Sequence, residues 1–324
     1  MKVVVADKNL VPHRERFEGR LPAGTTVAWQ VDQSDPVYIP ELADAEVFVG
    51  SSFTRPMAES AGKLRLVHAA GAGTDGIDFD ALRADVQVAN TYHHERSIAE
   101  YIVATSILLR RRFLEQDRRL RDGVWATSVY DDQLPQPDTF DGAQAGFVGF
   151  GHIGQSAWNL LRACGCTGAA VTGSGKLEAD LGLRWMGSID RLDELMAESE
   201  LVVVSAPLTE QTRSMIGEAQ LRALGATGVL VNVGRGPVVD EKALYTALSN
   251  HDIAGAAIDV WYDYPGADGL GPPSELPFAA LDNIIMTPHA SGVTRQTFIG
   301  RVDDITANIA RLQRGEPLIN IVAR

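Results

Sequence analysis

The sequence predicts an α/β protein built from doubly wound parallel sheets, and three observations carry that expectation. Short β-branched apolar runs alternate with segments of helical period along nearly the whole chain. The 324 residues, 45% of them hydrophobic, are enough to bury two cores. A glycine-rich turn directly follows the fifth of the apolar runs.

The runs are KVVVA at 2–6, EVFVG at 46–50, RLVHAA at 65–70 and VQVAN at 86–90, then AGFVG at 145–149, GAAVT at 168–172, ELVVVSA at 200–206, GVLVN at 228–232, AGAAID at 254–259 and NIIMT at 283–287. Uninterrupted apolar strands suit a parallel sheet covered on both faces. Between the two groups, Ser97 to Asp122 has helical periodicity through Ile98, Ile102, Ile107, Leu108, Phe113 and Leu114. It is predicted as one long helix that starts buried, ends solvated and crosses between domains. Its arginines at 110–112 and 118–119 read as a solvated face.

Composition narrows the function classes. A net charge of −13 repels phosphate backbones and anionic headgroups, so neither nucleic acid nor a membrane surface is an expected partner. Cys164 and Cys166 flank one glycine and have no second pair, which argues against a disulfide framework or a metal site and points to a reducing, cytoplasmic setting. The opening MKVVVADKNL is cut by Asp7 and is no secretory signal. The longest uncharged stretch, Gly142 to Leu161, is broken by glycines, Gln144, His152 and Gln155, so a soluble chain is expected.

The segment AGFVGFGHIGQSAWNLL places Gly149, Gly151 and Gly154 in a G-x-G-x-x-G between a strand and an amphipathic helix, the fingerprint of a Rossmann dinucleotide site. Gly149 permits the tight turn, Gly151 lets a pyrophosphate approach, and Gly154 lets helix and strand pack. His152 and Ile153 open the helix, whose free N–H groups and dipole favour phosphate. About 20 residues on, an NAD site carries an acid for the ribose 2′-hydroxyl. Thr172, Gly173, Ser174 and Gly175 fill that window, and Lys176 follows. Hydroxyls and a lysine tolerate a 2′-phosphate, so NAD(P) is the expected cofactor and the pocket favours NADP; NAD remains usable if Lys176 points to solvent.

The full set of motifs resembles the D-isomer-specific 2-hydroxyacid dehydrogenases: GAGTDGID at 71–78, SIAEY at 97–101, GFGHIG at 149–154, SAPLTEQTRSMIG at 205–217, NVGRGPVVDEKAL at 232–244, AAIDVW at 256–261 and TPHASG at 287–292. The resemblance spans essentially the whole chain. It implies that Arg235, beside Val233 and Gly234 at a strand end, holds the substrate, and a guanidinium there can pair with a carboxylate or polarise a keto oxygen. It implies that His289 is the acid/base, a role suited to imidazole. It assigns Asp259 to the nicotinamide carboxamide, Ala206, Pro207 and Thr212 to the adenine side, and Ala72 and Gly73 to a carboxylate-binding turn of backbone amides. His94 is a candidate to face substrate. Where the family carries a glutamate beside the histidine, this chain has Tyr264, which holds the ring without adding charge and predicts a lower-titrating His289.

The resemblance further implies a Rossmann cofactor domain at 97–292 inserted into a flavodoxin-like substrate domain at 1–96 and 293–324, a homodimer, and hydride transfer to a small 2-oxo acid giving a D-2-hydroxy acid, or the reverse. Two alternatives stay open. One is formate-like hydride transfer without a proton, since that branch also lacks the glutamate. The other is a non-catalytic NAD(P)-sensing protein of the same fold.

Overall fold

The computed structural model describes residues 1–31, 40–176, 181–266 and 268–322. The chain forms two compact units, residues 1–93 with 293–324 and residues 94–292.

Among the described residues, the first unit holds seven strands, β1 (Lys2–Val5), β2 (Thr26–Trp29), β3 (Val47–Val49), β4 (Ser52–Phe53), β5 (Leu66–His68), β6 (Gly76–Ile77) and β7 (Gln87–Ala89). Five of them form a parallel sheet in the order β2-β1-β3-β5-β7, while β4 and β6 pair separately. Alternate residues of these strands feed two cores, as a period of two requires. Val4, Phe48, Val67 and Val88 pack on one face. Val3, Val5, Val47, Val49 and Leu66 pack on the other, against Phe298, Val302, Ile305 and Ile309 of the helix Arg295–Arg314. That helix completes the unit from the far end of the sequence.

The second unit holds β8 (Gln144–Val148), β9 (Thr167–Thr172), β10 (Trp185–Ser188), β11 (Leu201–Val204), β12 (Val229–Asn232), β13 (Gly255–Ile258) and β14 (Ile284–Met286) in one parallel sheet ordered β10-β9-β8-β11-β12-β13-β14. The order of strands reverses between β8 and β11, and in open α/β sheets the crevice at such a point is where ligands bind. All ten apolar runs are strands, and helices flank both sheets. Among the described residues, no helix is long and apolar enough to cross a membrane.

The expected single helix from Ser97 to Asp122 is two helices, Glu95–Arg110 and Phe113–Arg121. The first buries Ile98, Ala99, Ile102 and Leu109 along one stripe, and the second has no buried residue. Three consecutive arginines end that stripe, and the chain turns at Arg112, whose φ of +53° is left-handed. The arginine run is also not wholly solvated. Only 6% of the Arg110 side chain is exposed; its guanidinium donates to Glu200 at 3.0 Å and lies over Phe140.

Candidate active site

The glycine turn is built by close approach. Gly149 has φ +87°, and a Cβ there would lie 2.7 Å from the Ala206 amide nitrogen, so only glycine lets β8 and β11 end side by side. Ser205 Oγ donates to the Gly149 carbonyl at 3.0 Å and fixes the turn. Gly151 then caps the helix His152–Ala163 in an extended conformation with no side-chain bond to the first turn, and a Cβ at Gly151 would meet nothing within 4 Å. Unused helix N–H groups facing open space suit a pyrophosphate, and a dinucleotide fits these residues.

From the turn runs a cavity of about 670 Å³, lined by Gly149, Gly151, Thr172, Ser174, Lys176, Ala206, Pro207 and Thr212 among the expected residues. Phe150, Met186 and Ile189 add apolar wall that no motif announced. Thr172 Oγ1 accepts from the Gly175 amide at 3.0 Å, Lys176 is exposed, and the described lining contains no carboxylate. Thr212 is spent locally, donating to the Pro207 carbonyl at 2.7 Å and accepting from the Thr209 amide at the same distance. His152 is exposed, with Nδ1 3.9 Å from Glu95, whereas Ile153 packs into the core.

Three strand ends carry the polar groups. At the end of β12, the buried Asn232 clamps the next turn: its Nδ2 donates to the Arg235 carbonyl and its Oδ1 accepts from the Gly234 amide, both at 3.1 Å. Val233 is buried beneath, and one terminal nitrogen of Arg235 donates to the Gly234 carbonyl at 2.8 Å.

After β13 comes Asp259, 1% exposed. Its Oδ1 accepts from Thr287 Oγ1 at 2.6 Å and from the Ala290 amide at 2.8 Å; its Oδ2 accepts from the Ser291 amide at 3.1 Å and from the Ser291 hydroxyl. Both oxygens are therefore spent on the turn after β14, the turn that presents His289. Trp261 Nε1 donates to the Thr287 carbonyl at 2.9 Å, and the Tyr101 hydroxyl shares a 2.9 Å bond with Thr287 Oγ1. This scaffold holds His289 at φ +55°, a conformation a histidine keeps only when its surroundings impose it.

The Tyr264 hydroxyl lies 3.0 Å from His289 Nδ1. Burial lowers the His289 pKa, Arg235 lowers it further, and Asp259 opposes both. Burial raises the Tyr264 pKa against the Trp261 amide and the Arg235 charge, so the partner of the imidazole stays a neutral phenol. Arg235, His289 and Tyr264 thus share one electrostatic neighbourhood.

His94 precedes the helix Glu95–Arg110, and its Cβ is 3.2 Å from where a Cβ on Gly292 would stand, three residues beyond His289. Ala72 and Gly73 belong to the first unit, where the Gly71 carbonyl accepts from the Thr91 amide and the Ala72 carbonyl from Asn90 Nδ2. Their own amides donate to no group among the described residues. Sequence reasoning missed Asn232, Tyr101 and Ser291; the one signal for Asn232 was an amide side chain closing an otherwise apolar strand.

The sequence profile described as "D-isomer specific 2-hydroxyacid dehydrogenase, NAD binding domain" matches residues 103–291. A glyoxylate reductase of Korarchaeum cryptofilum is 34% identical over 283 residues, 86% of this chain and 79% of that protein. The crystal structure of a D-isomer specific 2-hydroxyacid dehydrogenase from Lactobacillus delbrueckii ssp. bulgaricus, in NAD-complexed form, superposes with a TM-score of 0.84 at 21% identity, covering all of both chains. An NADPH-dependent glyoxylate/hydroxypyruvate reductase from Sinorhizobium meliloti, in complex with NADP and malonate, gives 0.78 at 25% identity over 99% of this chain and 96% of that one.

Proposed function

Because the chain belongs to the D-isomer specific 2-hydroxyacid dehydrogenase family of oxidoreductases, we propose that it reduces a small 2-oxo acid to the D-2-hydroxy acid with NADPH, or catalyses the reverse. The observation that carries this reading is the bonded His289–Tyr264 pair under the charge of Arg235. The nicotinamide cofactor supplies or accepts the hydride. Gly149, Gly151 and the first turn of the helix His152–Ala163 hold its pyrophosphate; Ala206, Pro207 and Thr212 border the adenine side; Val233 and Gly234 back the nicotinamide end. Thr172, Ser174 and Lys176 receive a ribose 2′-phosphate, since no described carboxylate lines that end to repel it.

The acid's carboxylate is held by the amides of Ala72 and Gly73, and Arg235 polarises the keto oxygen. His289 Nε2 delivers a proton to that oxygen as it gains negative charge. The Tyr264 hydroxyl suits this cycle because a phenol both donates and accepts. It holds Nδ1 whether or not that nitrogen carries hydrogen, which keeps Nε2 aimed throughout. His94, beside the His289 turn, is proposed to face the substrate. A homodimer and a cytoplasmic setting complete the proposal, on the habit of the family and the two free thiols.

Absorbance at the NADPH band with glyoxylate, hydroxypyruvate and pyruvate tests the reading. Consumption of NADPH with at least one acid is expected; tight NADPH binding without turnover on any would leave a nucleotide sensor. The uncharged Tyr264 also favours a second reading, formate-like hydride transfer, in which no substrate proton moves; formate-dependent reduction of NAD(P)⁺ would select it.

A further inference from the structure

The hydrogen bond between Tyr264 and His289 has a direction, and the second unit alone sets it, since Trp261, Tyr264, Thr287 and His289 all belong to residues 94–292. Burial keeps the Tyr264 phenol neutral, so its oxygen carries one hydrogen. That oxygen accepts from the Trp261 amide at 3.4 Å and lies 3.0 Å from His289 Nδ1. With the amide hydrogen pointing in, the phenol hydrogen points out, and the one acceptor it reaches among the described residues is Nδ1. The reverse arrangement, with hydrogen on Nδ1, would aim two N–H donors at the phenol oxygen and leave the phenol hydrogen without a protein acceptor among those residues. The two rings are tilted by 56° with centroids 5.8 Å apart, so they meet through these polar atoms rather than by stacking. Trp261 also fixes the histidine from a second side. Its indole Nε1 donates at 2.9 Å to the Thr287 carbonyl, which accepts from the His289 amide as well at 3.0 Å. Trp261 is buried and packs edge-on against Phe278. One immobile residue thus holds the backbone of His289 by its side chain and the ring of His289, through Tyr264, by its amide.

We propose that Trp261 and Tyr264 are positioning residues that fix neutral His289 as the tautomer with its hydrogen on Nε2, so that it meets an oxo acid as a hydrogen-bond donor. A neutral imidazole carries one hydrogen, and a lone pair held on Nδ1 by the phenol puts that hydrogen on Nε2. A carboxylate at position 264, an acceptor only, would demand the opposite tautomer and leave Nε2 bare. The significance for substrate deepens the reading of the chain as a 2-oxo acid reductase and rests on it. A keto oxygen accepts hydrogen bonds and cannot donate one, so Nε2–H is complementary to an oxo acid and a bare Nε2 is not. The unprotonated enzyme is therefore already set to receive the substrate of the reductive direction. When the ring takes a second proton, on Nδ1, the phenol turns and accepts from it, and the charged imidazole is the form that delivers the proton.

The test is long-range ¹H–¹⁵N correlation NMR on the full chain labelled with ¹⁵N-histidine, at about pH 9, where an imidazole is neutral. The seven histidines are told apart by the resonances that His289→Gln removes. In the parent, His289 is expected as a single tautomer, with Nε2 protonated and Nδ1 bare. Tyr264→Phe, which keeps the ring and loses the hydroxyl, should give a mixture of the two tautomers, and Tyr264→Glu should move the hydrogen to Nδ1. A protonated Nδ1 in the parent overturns the proposal, as does a Tyr264→Phe spectrum in which His289 is unchanged. The readout needs no turnover, so the two readings fail separately. A parent with hydrogen on Nε2 that reduces no acid would sink the enzymatic reading and leave the tautomer standing, whereas a parent that reduces glyoxylate with hydrogen on Nδ1 would do the opposite.

Discussion

The proposed proton transfer turns on one hydrogen bond between the imidazole of His289 and the phenol of Tyr264. In the family pattern a carboxylate sits beside the catalytic histidine, stabilises the imidazolium and keeps it protonated to higher pH. Here the Tyr264 phenol makes the bond at 3.0 Å without contributing charge, while burial pushes the His289 pKa down by more than Asp259 raises it, with Arg235 adding to the fall. If His289 is the proton donor, as proposed, reduction needs it protonated, and kcat/KM for keto-acid reduction should fall as pH rises through that depressed value. Tyr264→Glu restores the carboxylate and is expected to move the descending limb to higher pH, read from kcat/KM profiles between pH 4.5 and 9; superimposable profiles would mean that the side chain at 264 does not govern the histidine. His289→Ala removes the proposed proton donor altogether. Its kcat should drop by roughly 10²–10⁴-fold with NADPH affinity near that of the parent, and a variant turning over at the parent rate would take the proton-transfer role away from His289.

At the scale of elements, the site is a set of strand ends, each fixed by the turn just past it, and their legibility differs for physical reasons. Continuous apolar runs announced ten strands because a parallel strand covered on both faces leaves no polar position. The edge strands β2 and β10 were silent: TVAW and WMGS are largely half-exposed, so they carry no such run. The break at Arg112 was hidden because Phe113 and Leu114 keep an apparent period while abandoning the buried stripe. Gly149 was legible from its motif, and its cause is contact with Ala206. Gly149→Ala should cost roughly 2–5 kcal/mol, from left-handed strain plus overpacking; denaturant unfolding measures it, and a loss under 0.5 kcal/mol would mean the two strand ends separate easily. The partners of Asp259 were not legible, since the donors it accepts from, on Thr287, Ala290 and Ser291, lie some thirty residues on. A carboxylate spent on that turn is proposed to act by positioning His289. Asp259→Asn, which sets an amide N–H₂ against donors, is expected to lower kcat at least tenfold with NADPH affinity little changed. A loss confined to NADPH affinity would return Asp259 to the nicotinamide.

At the scale of the whole molecule, the two ends of the chain fold together, and a buried histidine couples that closure to pH. His68 ends β5 and is fully buried. Its Nδ1 is 2.9 Å from the Ala69 carbonyl and must carry the hydrogen, which leaves Nε2 to accept from Asn308 Nδ2 at 3.1 Å. Asn308, on the helix Arg295–Arg314, also donates to the Ile319 carbonyl and accepts from the Ile319 amide, both at 2.9 Å. Residues 68, 308 and 319 are thus one network in which only neutral imidazole satisfies every group. A proton on Nε2 would face the amide N–H₂ of Asn308 with no acceptor, and burial pushes the His68 pKa down to about 4. The unfolded chain takes up that proton near pH 6.5, so it binds more protons than the native state between those values. Stability from this site is present in full above pH 6.5 and is lost as pH falls toward 4, by about 3 kcal/mol in all. Ion-paired surface carboxylates such as Asp44, Glu198 and Glu316 are held below their usual range and release their contribution at lower pH, so the two effects separate. His68→Asn, which keeps polar atoms but cannot ionise, should be less stable than the parent at pH 7.5, through lost packing, yet lose less on acidification from 6.5 to 4. Urea unfolding at closely spaced pH values tests this directly, and parallel pH dependences for the two proteins would mean that the acid sensitivity of the first unit lies outside the His68–Asn308 contact.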